Sequence, residues 1–311
     1  MALVREADIQ ASVADRLRGS RVDVAGALFK AGLLFALLLC LLVLGVLLAD
    51  VVTGGWEVLS TRLADFLNSG SSSSPSRAGV YQGLQGSFWI GVFTILLAFP
   101  IGIAAAIYLE EYATHGRFTR FIDINIRNLA GVPSVVYGIL GFAIFVKTLG
   151  GLTGGRTPIA AGITLAILVL PIVIITSAEA IRAVPDSLRE AGFGVGATRW
   201  EVVRHHVLPY AAPGIITGTI LSLARALGEA APLILVGAVQ GRLGGTSSFL
   251  DVGQLQERFT AMPTVITHWA RQPSAGFRTN TAAAIVVLLV VVLLANASAI
   301  VLRNRFEKRR G

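Results

Sequence analysis

Two opposite charges stand where an apolar sequence should hold none. The run Gly214–Val236 contains Arg225 and Glu229, in Ala224-Arg225-Ala226-Leu227-Gly228-Glu229-Ala230-Ala231-Pro232. If the run crosses a membrane, Arg225 lies about eleven residues in, near mid-bilayer at roughly 1.5 Å per residue. Even the gentlest scales set the cost of a guanidinium there at about 2.5–3.5 kcal/mol. Glu229, four residues on, shares a helical face with it and can pair. One reading is a self-neutralised pair that joins helices. Buried pairs are weak sources of stability, however, and an intramembrane charge by default marks a solute's path. Arg225 and Glu229 are therefore the expected path residues.

The remaining reactive residue types form no such constellation. Glu110 and Glu111 are adjacent in Ile107-Tyr108-Leu109-Glu110-Glu111-Tyr112-Ala113, at the end of another apolar run. With no cluster of His or Cys around them they read as a solvated helix end rather than a metal or acid–base site. His115, His205, His206 and His268 lack metal-ligand spacing, and nothing draws a Ser/His/Asp set together. Lysine occurs only at Lys30, Lys147 and Lys308, none in the glycine pattern of a phosphate-binding loop. The one cysteine, Cys40, can form no intrachain disulfide. We expect no enzyme activity, cofactor, metal or ATP site in this chain.

The elements that carry these residues follow from composition. The chain has 311 residues, 54% hydrophobic and 14% charged, with a mean hydropathy of +0.72. A soluble protein so apolar would expose large sticky patches, so most of the surface must face lipid. About 20 apolar residues cross a bilayer. The runs Ala25–Leu48, Gly86–Leu109, Leu129–Leu149, Pro158–Ile181, Gly214–Val236 and Thr281–Leu302 qualify. Lipid offers the backbone no hydrogen bonds, so the expectation is an all-α polytopic membrane protein with six transmembrane helices. The first run is longer than the apolar core of a signal peptide and is expected to be retained.

Charge orients the spans. With both termini inside, sixteen Lys and Arg residues fall in inside segments and eight in outside ones. The positive-inside rule then places both termini in the cytoplasm. It also accounts for the net charge of +8 without a nucleic-acid partner. The chain divides into a cytoplasmic segment 1–24, a first span and outer loop 25–80, a five-span core 81–303, and a basic tail 304–311. In the outer loop, Trp56, Leu59, Leu63 and Phe66 recur at helical spacing, so a short surface helix is expected. Gly70-Ser71-Ser72-Ser73-Ser74-Pro75 reads as a flexible link. Between the last two spans, glycines Gly241, Gly244 and Gly245 precede Leu250–Trp269. There Phe259, Met262, Ile266 and Trp269 would line a helix broken at Pro263. It is either an interfacial helix or, slightly favoured, a surface for a soluble partner.

The core contains one polar insertion, the loop 186–212. Leu188–Val195 reads as a short helix, and Gly196 stands where a helix stop favours a left-handed residue. Thr198 and Glu201 form a capping-box pattern that opens a second helix. Pro209 closes the segment and Pro213 opens the next span. A helix, a glycine corner and a second helix make a knob suited to a groove on another protein. The plainer alternative is an amphipathic loop resting on lipid.

These residues carry a family resemblance. Glu190, Ala191, Gly196, Leu208 and Pro209 match the coupling loop of ABC importer permeases: Glu-Ala-Ala, three residues, Gly, nine residues, then Ile-x-Leu-Pro. Gly192 replaces the second Ala and His206 the usual Ile. Arg225–Pro232 resembles the Arg-Ala-Leu-Gly-Glu-Thr-Ala-Pro signature of the phosphate importer permeases of the PstA type, with Ala230 in place of Thr. Ile107–Ala113, Asn128–Tyr137 and Val301–Phe306 resemble the same family. The resemblance implies a type I ABC importer permease fold in a bacterial plasma membrane. It implies four kinds of partner: the lipid bilayer, a second related permease, two cytoplasmic ATPase subunits that hold ATP and Mg, and an extracytoplasmic phosphate-binding protein. Arg225 would then meet the anion through its planar fork of donors. Glu229 would accept a hydrogen bond from protonated phosphate, which fully ionised sulfate cannot offer. Molybdate or sulfate importers are the nearest alternatives. A channel or secondary transporter would leave the coupling-loop pattern unexplained.

Overall fold

The computed structural model describes residues 24–114, 116–239 and 248–308. The N-terminal segment up to residue 23, His115, the glycines Gly241, Gly244 and Gly245, and residues 309–311 lie outside that range. Among the described residues the structure is helical, without strands. It divides into two units, one up to Asp50 and one from Val51 onward. Residues 24–50 of the first unit belong to helix α1 (Val24–Thr61), and their apolar side chains, Leu33, Phe35 and Leu41 among them, are exposed.

The second unit contains α2 (Leu63–Asn68) and α3 (Tyr81–Ile107), which runs on through a π-helical turn, Tyr108–Tyr112. Then come α4 (Arg117–Ala130), α5 (Ser134–Gly141, extended by a π stretch to Thr148), the short α6 (Gly150–Thr153) and α7 (Pro158–Arg182). The loop helices α8 (Asp186–Gly194) and α9 (Arg199–Val202) follow. A π turn, Val203–Val207, leads into α10 (Leu208–Gly228), and α11 (Ala231–Val236), α12 (Met262–Ala270) and α13 (Ala275–Lys308) complete the fold. Helix α3 packs along α7, α7 along α10, and α10 along α13. Among the described residues, five helical stretches are long and apolar enough to cross a membrane, six if the bent pair α4–α5 counts as one.

Two expected spans are broken, each for a local reason. The run Leu129–Leu149 is not one helix, because α4 ends at Ala130 and α5 leaves at 98° to it. Pro133 has no N–H to donate and drives Val132 out of the helical region. The run Gly214–Val236 stops at Gly228, and Glu229 is extended at φ −78°, ψ 119°. Gly228 is a poor helix former, and Pro232 is tolerated only because it opens the first turn of α11. Conversely, Pro209 does not close the loop. The chain is helical without interruption from Arg199 to Gly228. The π turn before Leu208 lets the helix accept a proline that an α-helical register would reject.

The connections are also more ordered than their composition suggests. In place of a separate surface helix, Trp56 and Leu59 lie on the end of α1, and Leu63 and Phe66 on α2. Phe66 is fully buried, with its ring 6.0 Å from that of Trp269. The serine-rich link is pinned rather than free. Arg62 donates to the carbonyls of Pro75 (2.7 Å) and Ser76 (2.8 Å) and to Asn280 Oδ1 (2.6 Å). Pro263 starts α12 instead of breaking it. Phe259, Met262 and Trp269 are 4%, 0% and 3% exposed, so they build the core and offer no surface to a soluble partner.

The approach of α3 to the segment before α12 is the tightest constraint here. A Cβ at Gly86 would collide with the Thr260 carbonyl oxygen, which is backbone and cannot swing aside. Gly86→Ala is expected to destabilise the protein by roughly 1–3 kcal/mol, as other overpacked cores are. Loss of the monodisperse peak in detergent size exclusion would report it, and an unchanged profile would contradict it.

Candidate functional site

The loop between α7 and α10 folds as its local chemistry dictates. Helix α8 ends at Gly194, and Gly196 takes φ +84°, a left-handed conformation that costs glycine nothing. The Gly196 and Ala197 amides return to the carbonyls of Phe193 (2.9 Å) and Gly192 (3.2 Å), closing the orphan end of α8. Thr198 and Glu201 form the expected capping box. The Thr198 amide donates to Glu201 Oε2 at 2.8 Å, and the Glu201 amide to Thr198 Oγ1 at 3.4 Å. Hydrogen bonds from the Thr198 backbone and hydroxyl hold the Glu201 carboxyl below its ordinary range.

Both departures from the family pattern have a structural setting. Gly192 is buried where α8 crosses the second loop helix, and a Cβ there would lie 2.8 Å from Val202 Cγ2. A larger residue would push the two helices apart. His206 faces outward, while Val202, Val203 and Val207 supply the buried face. The loop's own core is therefore complete without an apolar residue at position 206. Glu190 and Ala191 are exposed, as are Phe193, Val195 and Trp200 around the corner, while Leu208 and Pro209 are half-buried.

What the sequence reading missed is the fastening of this loop to α3. Glu111, expected to be solvated, is 6% exposed. Its Oε1 accepts from Arg189 Nε at 3.1 Å and Nη2 at 2.9 Å. Arg189 also donates to the carbonyls of Val184 (2.6 Å) and Ile181 (3.0 Å) and to Asp186 Oδ1 (3.0 Å). A guanidinium has five N–H groups, and these contacts engage all of them. Beside it, Arg182 Nε donates to Glu110 Oε2 at 3.2 Å. The π turn at Tyr108–Tyr112 carries both glutamates toward the loop. The adjacent pair Glu110-Glu111, with Arg182 at the end of α7 and Arg189 in the loop that follows it, is the available signal.

The Arg225–Glu229 pair is formed, but loosely. Arg225 occupies the last turn of α10, and its Nε lies 3.5 Å from Glu229 Oε1. That exceeds a good hydrogen bond. Arg225 makes no hydrogen bond among the described residues, and its side chain is 48% exposed against 19% for Glu229. Ala226, next in sequence, is 1% exposed in a core with Ile90, Leu165 and Leu233. The last turn of α10 is thus wedged into the protein on one side and presents its charge on the other.

The family described as "Binding-protein-dependent transport system inner membrane component" matches residues 98–311. The chain belongs to this family. It is 34% identical over 234 residues to "Phosphate transport system permease protein PstA 1" of Mycobacterium tuberculosis (strain CDC 1551 / Oshkosh), covering 74% of this chain and 73% of that protein. It is 41% identical over 160 residues to "Phosphate transport system permease protein PstA" of Mycobacterium leprae, covering 51% of each. The fold resembles a chain of a bacterial alginate ABC transporter, solved with an alginate pentasaccharide-bound periplasmic protein. The TM-score is 0.61 at 14% identity, over 89% of this chain and 95% of that one. The architecture is that of a type I ABC importer permease, and the protein is a multi-pass membrane protein of this transport family.

Within this family frame two predictions arise. Gly196→Val places a β-branched residue at a positive φ that it strongly disfavours. The variant is expected to assemble poorly or to hydrolyse ATP without import, and full import would contradict that outcome. Arg189→Met leaves the Glu111 carboxylate buried without its partner, at a cost of about 3 kcal/mol. Limited proteolysis should then cut within residues 186–207 faster than in the parent, and an unchanged cleavage rate would count against the clasp.

Proposed function

We propose that this chain is a transmembrane permease subunit of an ATP-driven importer of inorganic phosphate, contributing half of the translocation path. The observation that carries this reading is the ion pair Arg225–Glu229, set at a break between α10 and α11 in a chain whose relatives are named phosphate permeases. Discontinuous membrane helices are a recurrent way of offering polar groups to a solute at mid-bilayer. A guanidinium with free donors and one loosely held carboxylate can exchange that carboxylate for an oxyanion at little cost. Phosphate at neutral pH carries one to two charges, and its remaining proton gives Glu229 a hydrogen bond to accept.

The partners follow from the same reading. A second related permease completes the path on the open side of Arg225. Two ATPase subunits receive the knob of Glu190, Ala191, Gly196, Thr198, Glu201, Leu208 and Pro209, and they bind ATP with Mg; this chain binds neither. An extracytoplasmic phosphate-binding protein delivers the substrate. The charge distribution supports cytoplasmic termini and a cytoplasmic coupling loop in a bacterial plasma membrane. Another oxyanion importer, for molybdate or sulfate, is the competing reading.

Radiolabelled phosphate uptake by vesicles containing the assembled transporter tests the proposal, with sulfate as competitor. Arg225→Lys keeps the charge but loses the planar fork, so uptake should fall at least tenfold without loss of assembly. Glu229→Gln weakens the acceptor, so phosphate uptake should drop and discrimination against sulfate should loosen. If both variants import phosphate at the parental rate, the pair is structural and the path lies elsewhere.

A further inference from the structure

Helix α4 has two faces, yet none of its residues is buried. Phe118, Phe121 and Leu129 are 74%, 63% and 47% exposed. The opposite side carries Arg120, Asp123 and Arg127, and Arg127 pairs with Asp123 at 3.0 Å. Arg117 and Arg120 have no acidic partner among the described residues. Both line a cleft of about 670 Å³ together with Thr119, Glu110, Asp123 and Arg182. Glu110 is already held by Arg182, and Asp123 by Arg127. The unspent charge of the cleft is therefore the two free guanidiniums.

We propose that α4 lies in the membrane plane on the coupling-loop side, with Phe118 and Phe121 among the acyl chains. Its cleft then holds the phosphodiester headgroup of an anionic phospholipid against Arg117 and Arg120. The bend supports this placement: α5 leaves α4 at 98°, so a helix that crosses the bilayer leaves its predecessor parallel to the surface. Length supports it too. Ser134–Thr148 rises only about 22 Å, against a hydrocarbon core of about 30 Å. A span that short draws its corner down to the headgroup–acyl boundary, where amphipathic helices rest. The exposed apolar face of α4 also continues into Val135, Val136, Ile139 and Leu140 of α5, side chains that a span shows to lipid. A phosphodiester suits arginine because the guanidinium fork matches its paired oxygens.

The test uses the transporter purified with its partner subunits. With Cys40→Ser and Phe121→Cys, a nitroxide is placed at position 121 in vesicles of phosphatidylglycerol and phosphatidylethanolamine. Collisions with dissolved oxygen are expected to exceed those with a water-soluble nickel chelate. The reverse order, or a label immobilised and shielded from both, would set α4 in water or against protein and overturn the proposal. In a second arm, fluorescent phosphatidylglycerol is titrated onto the same complex. Arg117→Gln combined with Arg120→Gln should weaken its binding by about 25-fold, about fivefold for each arginine removed. Affinity for phosphatidylcholine should not change. Equal affinity of the parent for the two lipids, or no loss in the double variant, would overturn the headgroup assignment.

Discussion

A backbone inside a bilayer has only itself to bond to, and the structure follows from that constraint. It makes every long apolar run helical. It also governs several of the hydroxyl side chains in those runs, which turn back onto their own helix. Thr94, Thr164, Thr219 and Ser222 donate to the carbonyls of Ile90, Ala160, Ile215 and Gly218 at 2.7–3.0 Å. The donor of each of these hydroxyls is thereby committed. The charge at Arg225 is thus set apart from the other polar groups of its span, because it alone is not spent on the helix that bears it.

The same constraint explains where helices are allowed to stop. The corner between α4 and α5 frees the Leu129 carbonyl, and Tyr137 Oη donates to it at 2.8 Å while the Val132 amide does so at 3.1 Å. The interruption at Glu229 is covered on the protein side by Ala226 and Leu233, which share one buried cluster. Irregular backbone at membrane depth is tolerated where protein or water lines it. The break at Glu229 meets that condition on its protein side, whereas the α4–α5 corner is exposed and relies on the Tyr137 hydroxyl.

Features that depend on near neighbours were legible in the sequence. The capping box at Thr198 and the left-handed Gly196 need only local bonding, and they appear as expected. The spans at Pro158–Ile181 and Thr281–Leu302 needed only hydropathy. Features set by distant residues were not legible. Hydropathy is blind to direction, so Leu129–Leu149 looked like one helix although Pro133 turns it. Phe259 and Met262 looked like a surface because amphipathicity says that a face is covered, not by what. Glu111 looked solvated because its partner Arg189 lies 78 positions away. Of the candidate site, the four-residue spacing announces the contact of Arg225 with Glu229, but hydropathy hides the helix break at Glu229 itself.

The Glu111–Arg189 clasp has a mechanical consequence. Helix α3 with its π turn spans Tyr81–Tyr112, 32 residues, or about 48 Å at roughly 1.5 Å per residue. Its start is anchored, since the Val80 amide donates to Phe66 at 2.8 Å and the Gly79 amide to Gly70 at 3.0 Å. Its far end is held by the loop. Treated as a rod, α3 is a lever with its fulcrum near Tyr81. Ile90, which shares a buried cluster with Ala226 beside the charged pair, sits about a third of the way along. A displacement applied at Glu111 therefore reaches Ile90 reduced about threefold, with the force multiplied by the same factor.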